Sequence, residues 1–189
     1  AYHNGCGSPI IHIGGEWQCG SCGTVVSPKV TCGNCGAQTD RGQIDIPLAL
    51  RVRQPADEIA RAIHEETNRR RTTHEISELG YSPHLSAIAL HHSRHMAQED
   101  FFDHTAPNGS KPIDRYRRFG HDTQSSGENI ALEPLDIENS ADETANSIVE
   151  GWMNSPGHRE NILRNRFDEE GLGVYVDPGG SIYATQNFY

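Results

Sequence analysis

Nowhere does the sequence hold an apolar run long enough to cross a bilayer, and nothing in it resembles a signal peptide. Basic residues are scarce. Sixteen Lys and Arg stand against 26 Asp and Glu, a net charge of -10. That balance excludes a surface that tracks a phosphate backbone, so nucleic acid is not an expected partner. Eleven histidines are present, yet the zinc-peptidase signature H-E-x-x-H is missing. All five cysteines lie before residue 36 of 189, so any thiolate or disulfide framework is confined to that end. Hydrophobic residues make up 34%, enough for one core and a small appendage. The first residue is Ala1 rather than methionine, so either a leader has been removed or the sequence has been trimmed.

Charge is as unevenly spread as cysteine. Residues 1–40 carry only Glu16, Lys29 and Asp40, and the rest of the charge falls after them. Composition shifts at Asp40-Arg41-Gly42. The expected organisation is a module over 1–40, an extended connector over 41–54 and a main domain over 55–189. Within the module, Cys19-x2-Cys22 and Cys32-x2-Cys35 both read C-G-x-C-G. Glycine beside each cysteine lets backbone amides turn toward the sulfurs. Four thiolates at this spacing suit a structural Zn²⁺, and metal would supply folding energy that so small a core cannot. Two disulfides, such as Cys19–Cys35 with Cys22–Cys32, or a rubredoxin-like iron are the alternatives. Cys6 is left over as a free thiol. With one lysine and no arginine, the module reads as structural or protein-contacting.

The main domain starts helical. Ile59 and Ile63 follow Pro55 at helical spacing, and a helix is expected to about Leu79, with Gly80 as its stop. Ser82-Pro83 starts a second helix, with Leu85, Ile88, Ala89, His92 and Met96 on one face. A third follows Asn139-Ser140, its stripe being Ala141, Ala145, Ile148, Val149 and Trp152. A short fourth starts at Ser155-Pro156. Leu172, Val174 and Val176 alternate, "DPGG" turns, and Ile182, Ala184, Gln186 and Phe188 alternate, which is a β-hairpin. Helices followed by a hairpin imply an α+β fold. "RRR" (69–71) reads as a solvated helix face. His92 reads as a hydrogen-bonded core residue, and His91 and His95 as surface residues despite their i, i+4 spacing. Asn108-Gly109-Ser110 is a formal glycosylation sequon and also ordinary turn chemistry.

Four stretches remain: "HSRHMAQEDFFDHTAPNGSKPIDR" (92–115), "SSGENIA" (125–131), "IVEGWMNSPGHRENIL" (148–163) and "YATQNFY" (183–189). In order and spacing they resemble the CAP superfamily of cysteine-rich secretory proteins, antigen 5 and pathogenesis-related class 1 proteins, in its prokaryotic, SCP-like branch. The resemblance implies an α-β-α sandwich around an antiparallel sheet, with a further strand somewhere in 120–135. It places His104 at the first cleft histidine, Glu128 at the cleft glutamate and His158 at the second cleft histidine, with Asn129 and Ser155 beside them. Many eukaryotic relatives carry a second glutamate in a W-x-x-E stretch. Here Trp152 is followed by Met-Asn-Ser, so Ser155 stands in that place and Glu150 is a turn away.

Two histidines and a carboxylate can hold a divalent metal, zinc being the first choice, and leave a position for water. The helix start at Ser155 also disfavours a protonated His158. The resulting expectation is an exported, cell-surface binding or assembly module with a metal-capable cleft of His104, His158 and Glu128. Its partner would be a protein or a second copy, with a small ligand or lipid as the other class. One rival is a zinc-dependent hydrolase, peptidase- or esterase-like, with Glu128 as general base. The other is an intracellular adaptor working through the cysteine module.

Overall fold

The computed structural model describes residues 53–120, 125–136 and 138–189, and the backbone of four strands within the first 26 residues. Two compact units result, Ala1–Arg51 and Val52–Tyr189. The first holds β1 (Tyr2–His3), β2 (Ser8–Ile13), β3 (Glu16–Cys19) and β4 (Val25–Val26), paired antiparallel in chain order. Cys19 ends β3. The expected zinc ligands Cys22, Cys32 and Cys35, together with Cys6, lie outside the described residues.

The second unit is a sheet covered on both faces. Its strands are β5 (Gly80–Tyr81), β6 (Gly127–Pro134), β7 (Glu169–Val176) and β8 (Ser181–Phe188), in the order β5-β7-β8-β6. The expected hairpin is β7–β8, closed at Asp177 to Gly180, and β6 is the strand awaited between 120 and 135. The sheet is mixed rather than purely antiparallel, because the two residues of β5 pair with β7 in parallel.

Strand alternation divides the core. Leu172, Val174, Val176, Ile182, Ala184 and Phe188 face one layer, made by α1 (Arg53–Thr73), α4 (Ala141–Asn154) and α5 (Pro156–Ile162). Ile59, Ile63, Ile148, Val149 and Trp152 fill that layer, and the Trp152 indole donates to the Ile130 carbonyl at 2.9 Å. Each such side chain, fully buried, contributes about 1.5–3 kcal/mol of apolar transfer. The other face takes α2 (Pro83–Gln98) and α3 (Pro112–Arg118). Here β7 shows Gly171 and Gly173. A Cβ at these positions would stand 2.2 Å from the Ser86 nitrogen and 2.0 Å from the Leu90 nitrogen. Only glycine lets the α2 backbone lie directly on the strand.

Three local readings need correction. α1 ends at Thr73, not near Leu79. The His74 and Ile76 amides close on the Arg70 and Arg71 carbonyls, Glu75 takes φ +59°, and the Asn68 side chain then pairs with both backbone groups of Leu79. Arg71 is not part of a solvated face. It is fully buried and donates to the carbonyls of Ser77, Ile162, Arg164 and Phe167, satisfying chain ends that would otherwise be orphaned. α3 was not foreseen at all. It starts at Pro112, and Asp114 accepts from the Lys111 amide at 3.0 Å.

Candidate functional site

The site is assembled on the α2–α3 side of the sheet. Glu128 lies on β6, 7% exposed. It points to that side because β6 alternates, while its neighbour Asn129 points to the other. His104 sits in the loop between α2 and α3. Two side-chain turns shape this loop: Asp103 accepts from the Thr105 amide at 2.6 Å, and Asn108 accepts from the Ser110 amide at 2.9 Å. Gly109 takes φ +82°, so "PNG" is used here as a turn.

Glu128 is the hub. Arg115, on α3 and 4% exposed, donates to both of its oxygens at 2.9 and 2.7 Å. The same guanidinium nitrogen donates to the His104 carbonyl at 2.9 Å and so ties the loop to the strand. The Nδ1 of His104 meets Glu128 Oε1 at 2.8 Å. A carboxylate only accepts, so Nδ1 is the donor and Nε2 is the ring nitrogen left for another partner. The His104 side chain is 42% exposed.

His92 lies behind Glu128, fully buried, its Nε2 3.8 Å from the carboxylate. Burial pushes its pKa down to about 4, so the ring is neutral. Its Nε2 donates to the Asp103 carbonyl at 3.1 Å, as expected of a hydrogen-bonded core histidine. Three buried groups around Glu128 hold polar atoms with no hydrogen-bond partner among the described residues: His92 Nδ1, Arg115 Nε and the Asn187 amide. Asn187 stands opposite Glu128 in the β6–β8 register.

His158 comes from α5, at the third position after the junction at Ser155. Ser155 is extended and ends α4 while starting α5, but its hydroxyl makes no capping bond. The pKa of His158 is lowered, first by burial and then by His104, so it too is held neutral. The ring centroids of His104 and His158 are 6.3 Å apart. Asn129 is fully buried and works from behind. Its amide donates to the His158 carbonyl at 3.3 Å and to Gln186 at 3.0 Å, and its oxygen accepts from Asn161 at 3.0 Å. Glu150, the carboxylate nearest the missing W-x-x-E position, is exposed on α4.

These positions test the expected metal. Zn–N bonds of about 2.0–2.1 Å at a tetrahedral angle place two imidazole centroids roughly 5.2 Å apart. The observed spacing is wider by about an ångström, within reach of a half-exposed His104 side chain. Among the described residues no three of His, Cys, Asp or Glu converge as a ligand set. Two imidazoles are thus the most that the described residues offer a cation, whose other ligands would have to come from solvent. Glu128 meets His104 Nδ1, the contact by which a carboxylate orients a histidine.

Arg115 is the functional residue that sequence reasoning passed over, although it closes the "KPIDR" stretch. The signal was available. A buried glutamate needs a counter-charge, and an arginine in a proline-initiated turn near the His104 loop could supply it.

Comparison with known proteins agrees with this fold. A family model described as CAP, the cysteine-rich secretory protein family, matches residues 64–188. The protein YkwD of Bacillus subtilis, described as uncharacterized, is 36% identical over 122 residues, which are 65% of this chain and 44% of that protein. An extracellular protein of Bacillus anthracis containing a SCP domain superposes with a TM-score of 0.61 at 29% identity, covering 78% of this chain and 44% of its own. An outer surface protein of Borrelia burgdorferi shares the fold, with a TM-score of 0.62 at 18% identity over 70% of this chain and 92% of its own. The chain spans less than half the length of the two Bacillus relatives.

Proposed function

The chain belongs to the CAP, or cysteine-rich secretory protein, family, and on that footing we propose that it is an exported binding module whose cleft captures a divalent cation. His104 and His158 are the ligands, Glu128 orients His104, and zinc is the favoured ion. The extracellular description of the Bacillus anthracis relative supports export. Among the described residues no helix is long and apolar enough to cross a membrane. In the first unit, Cys19, Cys22, Cys32 and Cys35 hold a separate structural zinc.

One observation carries this reading: the commitment of Glu128. Both its oxygens accept from Arg115 and one also accepts from His104. A carboxylate so engaged fixes the tautomer and direction of His104, leaving Nε2 as a lone-pair donor. The same commitment argues against the hydrolase alternative, which needs Glu128 free to take a proton from water. A bound cation would supply Lewis acidity in the cleft. The chain's own residues hold it, keep the His158 imidazole neutral and align His104.

Zinc titration by calorimetry tests the proposal, using the wild type and the variants His104→Ala and His158→Ala. Each single variant should weaken the cleft site by about tenfold or more. Glu128→Gln should weaken it less, because an amide oxygen still accepts from Nδ1. A second equivalent, beyond the one assigned to the four cysteines, that survives in both histidine variants refutes the assignment.

A further inference from the structure

A second concave site adjoins the first. Between α2 and α3 lies a hollow of ≈ 680 Å³. His91, Arg94 and His95 line it from α2, and Arg115 and Arg118 from α3. No carboxylate is among its lining residues. For a chain of net charge -10, five basic side chains converging on one hollow is the reverse of the general balance. Arg94 and Arg118 have no ion-pair partner among the described residues. Arg115 Nε, in a residue only 4% exposed, has no acceptor among the described residues. Leu90, 43% exposed, and Phe119, packed edge-on to His91 at 5.9 Å, add an apolar rim.

We propose that this hollow binds a phosphate oxyanion carried on a short apolar stem. Guanidinium pairs give phosphate the forked donors it accepts best, and two free arginines balance one dianion. A carboxylate would leave cationic charge uncompensated. The i, i+4 pair His91 and His95 has metal-ligand spacing, but a cation would enter against the unpaired charges of Arg94 and Arg118. The pKa of His91 is lowered by burial and then by Arg118, His95 and Arg115, which agrees with a positive local field. The Leu90 and Phe119 rim is what selects an organic phosphate over the free ion. The inference does not rest on metal in the cleft. The two sites share a wall at Arg115, whose other nitrogen holds Glu128.

The test uses the full chain and three probes: inorganic phosphate, hexyl phosphate, and phosphatidylcholine vesicles with and without phosphatidylglycerol. Calorimetry gives affinities, and the ring protons of His91 and His95 report the location by NMR. Hexyl phosphate should bind more tightly than inorganic phosphate and shift both histidines. The double variant Arg94→Gln/Arg118→Gln, both exposed positions, should lose about tenfold or more in affinity. His158→Ala should retain hexyl phosphate binding while losing zinc, which separates this site from the cleft. Displacement of hexyl phosphate by vesicles only when phosphatidylglycerol is present assigns a lipid headgroup. No displacement by either vesicle assigns a soluble phosphate ester. Absence of hexyl phosphate binding, unchanged affinity in the double variant, or shifts outside His91 and His95 overturns the proposal.

Discussion

Single histidines set how this molecule responds to pH, and they pull in opposite directions. His92 has a folded pKa of about 4, below its ordinary 6.5, because burial outweighs the nearby Glu128. A depressed value means that the folded state resists the proton. The contribution is intact above 6.5 and is lost as pH falls toward 4, by about 3 kcal/mol in all. His64 is the opposite case. Its Nδ1 meets the fully buried Glu170 at 2.6 Å, and that bond raises its pKa, aided by the charges of Glu170, Glu65 and Glu78. Glu170 is raised as well, by burial, so the pair keeps a proton to higher pH than either group would alone. Stability from this pair is present below 6.5 and is lost as pH rises through the folded value. Urea unfolding across the range should therefore show a maximum near pH 6.5. His92→Gln should flatten the acid limb and His64→Gln the alkaline limb. A wild-type acid slope in His92→Gln would show that another group is responsible.

The helices show which local signals in a sequence carry bonds and which carry only geometry. Ser140 and Ser155 look alike as helix starts. At Ser140 the hydroxyl accepts from the Glu143 amide at 3.2 Å and the Glu143 carboxylate accepts from the Ser140 amide at 2.8 Å, a capping box that the acidic first turn announces. At Ser155 the chain is extended between two helices, Arg159 bonds to the Ser155 carbonyl, and the hydroxyl makes no cap. Ser140→Ala should cost about 1 kcal/mol and Ser155→Ala only a few tenths. Equal losses in thermal unfolding would contradict the distinction. The same contrast decides what the sequence revealed. Leu172, Val174 and Val176 gave away the hairpin because alternation encodes a covered face. Nothing local told that Gly171 and Gly173 seat α2, since the close approach is made by residues some eighty positions earlier. Arg71 was misread for a similar reason. Three of the four carbonyls it satisfies, those of Ile162, Arg164 and Phe167, lie at the end of α5 and beyond, so charge patterning within α1 could not find them. His104, Glu128 and His158 were legible through motif resemblance. Arg115, which binds two of them together, was passed over because α3 was not foreseen, although the need of a buried glutamate for a counter-charge pointed to it.

At the scale of the whole molecule, the proposal gives metal a different purpose in each unit, and chelation should separate them. Val52–Tyr189 has a continuous core and a sheet covered on both faces, so its folding needs no ion. The Ala1–Arg51 unit is below the size at which a hydrophobic core suffices, and under the proposal a zinc on the two C-G-x-C-G sequences would substitute for one. The cleft pair, with only two imidazoles, should hold its ion far more weakly than four thiolates. Elemental analysis of protein purified in zinc should then give about two equivalents per chain, falling to about one in His158→Ala. A mild chelator should remove the cleft ion first and leave both thermal transitions in place. A strong chelator should abolish the transition of the first unit while that of Val52–Tyr189 persists, its midpoint lowered only by the linkage of the weakly held cleft ion. Disulfides in place of zinc would reverse the pattern, with reductant rather than chelator removing the first transition. If chelation abolished the Val52–Tyr189 transition instead, the cleft ion would be structural rather than captured, and the binding role proposed for His104 and His158 would fall with it.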